Sequence, residues 1–179
     1  MIRKMFSLTL ALLMIFVAER AFAGGMGIGV RYALVHMQSS DENVGMPGAF
    51  VRLGDGLFAL EGTIDYRTED LTGGVKVKTW PVTASLLVRP IPVIFAGAGL
   101  GWYNTTVDFN SDALDNQTKS TLGYQFGGGV QLPLAPTLSF VADARYHFID
   151  YDFNDIPSDF DFNDADYFSL HGGLLLSLP

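Results

Sequence analysis

From residue 27 onward, segment after segment of the chain alternates bulky apolar residues with small or polar ones, and no other property limits its fold so tightly. In GIGVRYALVH, residues 27–36, one parity carries Ile28, Val30, Tyr32 and Leu34, while the other carries Gly27, Gly29, Arg31, Ala33 and Val35. Residues 57–67 set Phe58, Leu60, Ile64 and Tyr66 against Ala59, Glu61, Thr63, Asp65 and Arg67. The same pattern returns at Thr79 to Arg89, Leu122 to Leu132, Leu138 to Phe148 and Phe168 to Leu178, with residues 46–54 and 93–103 as further segments. A period of two sustained over ten residues is a strand with two unlike faces. Eight strands are predicted. After Ala23 no run of 18 apolar residues exists, so a chain of this kind crosses a bilayer with strands or not at all.

The connections alternate as well. Short turns fall at Gly54-Asp55-Gly56, Pro90-Ile91-Pro92 and Pro133-Leu134-Ala135-Pro136, and longer polar stretches at 38–45, 69–74, 104–120 and 149–166. Eight strands running up and down with both termini at one end need three connections at that end and four at the other, as found here. The glycines of AGAGLGWY, residues 96–103, belong to this scheme. Their spacing is G-x-G-x-G and strand-like residues follow, whereas a dinucleotide loop needs G-x-G-x-x-G opening a helix. Gly97, Gly99 and Gly101 are therefore predicted to face a crowded barrel interior.

Which face is wet decides between two barrels. A soluble, lipocalin-like barrel in the periplasm would turn the apolar set inward around an apolar ligand and cover its outside with lysine and glutamate. Here the polar face is glycine, serine, threonine, glutamine and a few arginines, and the only lysines after residue 23 are Lys76, Lys78 and Lys119. Tyr32, Tyr66, Trp80, Trp102, Tyr103, Tyr124, Tyr146 and Phe148 stand towards the long connections, with Phe58, Phe95 and Phe140 near the short turns. Two aromatic girdles flanking an aliphatic band suit a lipid-facing barrel. The fold class predicted is all-β: an eight-stranded antiparallel up-and-down transmembrane barrel.

Export is expected from the first residues. Arg3 and Lys4 precede the apolar run Met5 to Ala18, and Ala21-Phe22-Ala23 supplies a small-x-small cleavage pattern, so residues 1–23 read as a secretory signal peptide and 24–179 as the barrel domain. The chain holds 11 basic and 19 acidic residues; with Arg3, Lys4, Arg20 and Glu19 in the leader, the rest keeps 8 against 18, a formal charge of −10. Such a surface repels nucleic acid. With no cysteine, disulfides contribute nothing.

GYQFGGGVQLPLAPTLSFVADARY, residues 123–146, is a glycine-rich strand, a proline turn and a strand ending in Arg-Tyr. It resembles the penultimate hairpin of the small eight-stranded outer-membrane β-barrel family, which includes OmpA-like transmembrane domains and OmpX-like and OmpW-like proteins. The resemblance runs over residues 24–179. It implies a monomer in a bacterial outer membrane, with membrane lipids, lipopolysaccharide and the barrel-insertion machinery as partners. One departure stands at the C-terminus: the family's last strand usually ends in an aromatic residue, and this chain ends Leu176-Ser177-Leu178-Pro179.

By parity the lumen is expected to hold Arg31, Arg52, Glu61, Asp65, Arg67, Asp143, Arg145 and His147, paired with one another because an unpaired buried ion costs several kcal/mol. Ion passage through that network is the alternative, in little space. A lipid-modifying hydrolase would want serine, histidine and an acid together. Ser169 and His171 are two apart on one strand, about 7 Å, with Asp143 and His147 on the strand before, and nothing marks a nucleophile. No catalysis and no cofactor are expected. Asp150, Asp152 and Asp155 recur nine residues later as Asp159, Asp161 and Asp164. The two copies are expected to form a solvated acidic loop, with weak divalent-cation binding as the alternative, because the glycine that an EF-hand loop requires is Asp155 or Asp164 here.

Overall fold

The computed structural model describes residues 25–37, 43–70, 76–108, 117–149 and 166–178. Residues 1–23, expected to be a signal peptide, and the six aspartates considered for cation binding, Asp150, Asp152, Asp155, Asp159, Asp161 and Asp164, lie outside these. The described residues form β1 (Met26–Met37), β2 (Asn43–Leu53), β3 (Phe58–Asp65), β4 (Arg67–Asp70), β5 (Lys76–Ile91), β6 (Ile94–Asp108), β7 (Gln117–Ala135), β8 (Leu138–Ile149) and β9 (Tyr167–Leu178). Apart from β3 and β4, sequence neighbours pair antiparallel, β1 also pairs with β9, and β3 with β5, so the sheet closes on itself. β3 and β4 are two lengths of one stave. The barrel therefore has eight staves, all antiparallel.

The break in that stave has a cause in β2. Pro47 O accepts the Tyr66 N–H at 2.9 Å, but proline has no N–H to return. The β2–β3 ladder ends at Gly48–Asp65, and β4 continues along β5 alone. The unbroken strand expected over 57–67 is corrected accordingly.

Two of the short turns lie further along than the prolines suggest. β5 runs through Pro90 to Ile91 and turns at Pro92-Val93; β7 runs through Pro133 to Ala135 and turns at Pro136-Thr137. Register shifts fall between Val88 and Ile91 and between Pro133 and Ala135, where an irregular ladder tolerates a missing N–H. At the third turn Gly54 adopts φ +93°, a conformation that favours glycine. On the other side, much of the expected 104–120 loop is strand: β6 continues to Asp108 and β7 begins at Gln117, in the β-branched runs Asn104-Thr105-Thr106-Val107 and Thr118-Lys119-Ser120-Thr121.

The apolar parity faces outward. Val30 is 63 % exposed, and Ile28, Tyr32, Leu34, Ile64, Tyr66, Trp80, Val82, Leu86, Leu100, Trp102, Leu122, Tyr124 and Phe126 share its face. Inward stand the charged residues together with two apolar clusters. Phe50, Ala59, Leu87, Phe95, Val141 and Leu175 close the end near the short turns, and Ala33, Val35, Met46, Tyr103, Ile149 and Tyr167 the end near the long connections. Phe95 and Tyr103, assigned above to the girdles, are corrected: both are buried inside.

The glycines make room for these interior rings. A Cβ on Gly123 would meet Tyr103 Cε2 at 2.8 Å, one on Gly27 would meet Leu175 Cδ1 at 2.7 Å, and one on Gly29 would overlap the Phe50 ring. Gly127 lies so close to β8 that a Cβ would overlap Ala144 O and meet Arg145 Cα at 2.9 Å, whereas at Gly62 only Val51 Cγ1 lies near, at 3.6 Å. Gly127→Ala is thus expected to cost about 1–3 kcal/mol, and Gly62→Ala at most about 0.5 kcal/mol. Urea titration of both variants folded in detergent micelles checks this; equal midpoints would refute the close approach of β7 and β8.

Candidate functional site

Strand alternation carries eight staves' worth of side chains into one narrow interior, and register decides which of them meet. Arg31 on β1 donates to Asp65 on β3 with both ends of its fork, Nε to Oδ1 at 2.8 Å and Nη2 to Oδ2 at 2.5 Å. Glu61, four residues earlier on β3, is held from two sides. Arg52 Nη2 reaches Oε2 at 2.5 Å, Arg145 Nη2 reaches Oε1 at 2.6 Å, and Arg31 Nη1 stands 4.0 Å from the same Oε1. Arg145 Nε also donates to Asp143 Oδ1 at 2.5 Å, and His171 Nδ1 lies 3.0 Å from that oxygen. Three guanidiniums face three carboxylates. Fork geometry of this kind suits arginine and would be lost with lysine.

Buried polar contacts continue towards both ends of the barrel. Arg52 Nη1 donates to Gln131 Oε1 at 2.8 Å, and its guanidinium lies 4.7 Å from the Phe95 ring centre, a cation over an aromatic face at the floor of the lumen. Towards the other end, His147 sits between the Tyr103 hydroxyl at Nδ1 and Ser169 Oγ at Nε2, both at 2.9 Å, with Tyr167 stacked on its ring at 4.2 Å. Gln125 Nε2 on β7 donates to Thr83 and Ser85 on β5, across the intervening β6.

Seven of the eight residues expected in the lumen are buried there: Arg31, Arg52, Glu61, Asp65, Asp143, Arg145 and His147. Six of them join in ion pairs; His147 belongs to the separate Tyr103–Ser169 group. Arg67 is placed differently, half-buried opposite Thr79 and on the outer side of the Tyr66 break. His171, Gln125, Gln131 and Tyr103 were not among the expected members. Parity is the only signal that could have found them, since each shares the inward face of its strand.

Little space is left. One void among these side chains, bounded by Ser85, Gln125 and Arg145 among others, is about 10 Å³, at the lower limit for a single water. Ser169 is wholly buried and bonds His147 on the neighbouring strand, while His171 bonds Asp143. No serine, histidine and acid converge at an open surface among the described residues, and these residues include no cluster able to hold a metal ion.

Three solved structures of similar fold are far in sequence. Neisserial surface protein A superposes with a TM-score of 0.65 at 15 % identity, covering 86 % of this chain and 96 % of that one. Ail, the attachment invasion locus protein of Yersinia pestis, gives 0.56 at 19 %, covering 87 % and 99 %. The outer membrane protein OprG of Pseudomonas aeruginosa gives 0.55 at 15 %, covering 87 % and 96 %. A search of curated protein sequences gave no match. The model of the outer membrane protein beta-barrel domain matches residues 6–172. With that span matched and the barrel closed on eight staves, the chain belongs to the outer membrane protein β-barrel domain family.

Proposed function

We propose that this protein resides in a bacterial outer membrane as a plugged barrel without enzymatic activity, its role structural or exerted at the cell surface through the outer ends of its strands and the connections beyond them. The observation that carries this reading is the inverted distribution of side chains: carboxylates and guanidiniums buried in pairs, large apolar residues exposed in a continuous band. A soluble barrel holding an apolar ligand needs the opposite arrangement and an empty interior. Charges that pair in both directions and a void of about 10 Å³ support a lumen that carries no solute. Ail, a structural neighbour, is an attachment invasion locus protein, which favours a surface role over a transport role.

Fractionation of cells expressing the full chain, with electrophoresis of boiled and unboiled samples, tests this. The expected result is recovery in the outer-membrane fraction with a heat-dependent shift in mobility. Recovery as a soluble periplasmic protein without a shift would overturn it.

A further inference from the structure

Gln125, buried on β7, spends only one end of its amide on the protein. Nε2 donates to Thr83 Oγ1 at 2.9 Å and to Ser85 Oγ at 2.8 Å, whereas Oε1 is buried with no hydrogen-bond partner among the described residues. The hydroxyls that the amide meets fix its direction. Thr63 Oγ1 donates to Asp65 Oδ2 at 3.5 Å, so it accepts from Thr83, 2.8 Å away, and Thr83 in turn accepts from Gln125. Turned over, the amide would set an acceptor against a hydroxyl whose proton is already given. The end left over is therefore Oε1, and what it needs is a donor.

Space for that donor lies beside it. The void of about 10 Å³ is bordered by Gln125, Ser85 and Arg145 on its polar side, with Gly97 and Gly127 in its wall. A Cβ on Gly97 would meet Leu87 Cδ2 at 2.6 Å, and one on Gly127 would meet Arg145 Cγ at 2.9 Å, so neither position admits a side chain that could fill the space. Two donors border it as well. The Ser85 hydroxyl accepts from Gln125 and keeps its own proton to give; Arg145 gives Nε to Asp143 and Nη2 to Glu61, which leaves Nη1. A bare cation would face the Arg145 guanidinium and a halide would face Oε1. Water both gives and accepts at this size.

We propose that this void is a binding site for one water molecule, which donates to Gln125 Oε1 and accepts from the Ser85 hydroxyl and the Arg145 guanidinium. One line of hydroxyls already runs from Gln125 to Asp65, and a line of ion pairs runs from Arg145 through Glu61 and Arg31 to the same Asp65. The water joins their free ends and closes a ring across the lumen, so that the hydroxyls and the charges act as one unit. The site deepens the plugged-barrel reading and rests on it: the water is held as part of the plug rather than passed along it.

Protein isolated from outer membranes in detergent and isotopically labelled at glutamine tests this, with the Gln125 amide identified by its contact with the Thr83 methyl. In the unaltered protein that amide is expected to show direct cross-relaxation with a water bound for longer than the barrel takes to tumble. Magnetic relaxation dispersion of the solvent is expected to count one long-lived water fewer in Gln125→Met, where the acceptor is gone. Absence of any contact between the amide and water in the unaltered protein would overturn the site, as would an equal water count in a folded Gln125→Met. If that variant does not fold, the contact in the unaltered protein decides alone. A heat-dependent mobility shift is recorded for every sample: its loss in the unaltered protein refutes the barrel reading, whereas a retained shift without bound water refutes the site alone.

Discussion

Glu61→Gln is expected to cost about 3–5 kcal/mol, because it removes the carboxylate that pairs with Arg52 and Arg145 and stands 4.0 Å from Arg31. Arg52 and Arg145 would remain buried with a single carboxylate, Asp143, between them, and Arg31 would keep only Asp65. The amide keeps the shape of the acid but accepts through one oxygen only, so its NH2 faces one guanidinium donor and the loss combines charge with one hydrogen bond. It would be read as a lower denaturant midpoint in micelles and as a fall, on the order of 10 °C, in the temperature at which the unboiled gel form disappears. The double variant Glu61→Gln with Arg52→Met should recover much of it, since one surplus charge leaves with the arginine. A loss below about 1 kcal/mol is what a solvated pair gives; that outcome would mean that water reaches Glu61 and that the lumen is not plugged.

Parity made most of this interior legible. Glu61, Asp65, Asp143 and Arg145 could be assigned to the lumen because most of their neighbours two residues away are small or polar, and the structure places them there. What parity does not carry is the pairing between staves. That Glu61 takes Arg52 and Arg145, and that Asp65 takes Arg31, depends on how the strands stagger around the cylinder, which no local pattern encodes. The apolar clusters at the two ends were hidden for a related reason. Leu87, Val141 and Leu175 sit on otherwise polar faces, where each looks like an exception; only closure of the barrel gathers them into one layer.

Phe95 and Tyr103 show how a compositional argument can override a better one. Both share the parity of Gly97, Gly99 and Gly101, which were assigned to the interior, but their aromatic character suggested the girdles. The Tyr103 ring fits inside because Gly123 on the adjoining stave leaves space for it. Interior glycines and interior rings are thus one feature read on two strands. The Tyr66 break was likewise out of reach, since its cause, Pro47, lies on another stave and acts through a single missing N–H.

Leu86→Arg should separate a bilayer from water as the surroundings of the apolar band. Leu86 faces outward beside Leu60 and Ala98, six residues from Trp80 and six from Pro92, so it lies midway between the aromatic belt and the short turn. At the midplane of a membrane an arginine costs about 2–4 kcal/mol, and near the interface about 0–1 kcal/mol. An exposed leucine in water would lose at most about 0.5 kcal/mol on the same change. Leu134, 60 % exposed beside the turn at Pro136, supplies the internal control: Leu134→Arg alters the same chemistry at the edge of the band. Urea titrations of barrels folded into phospholipid vesicles should therefore show a wide gap between the two variants, with Leu86→Arg the less stable. If both move equally little, the band is wetted and the apolar face is not a lipid face. If Leu86→Arg alone falls, depth within the band governs the cost, which only a bilayer can impose.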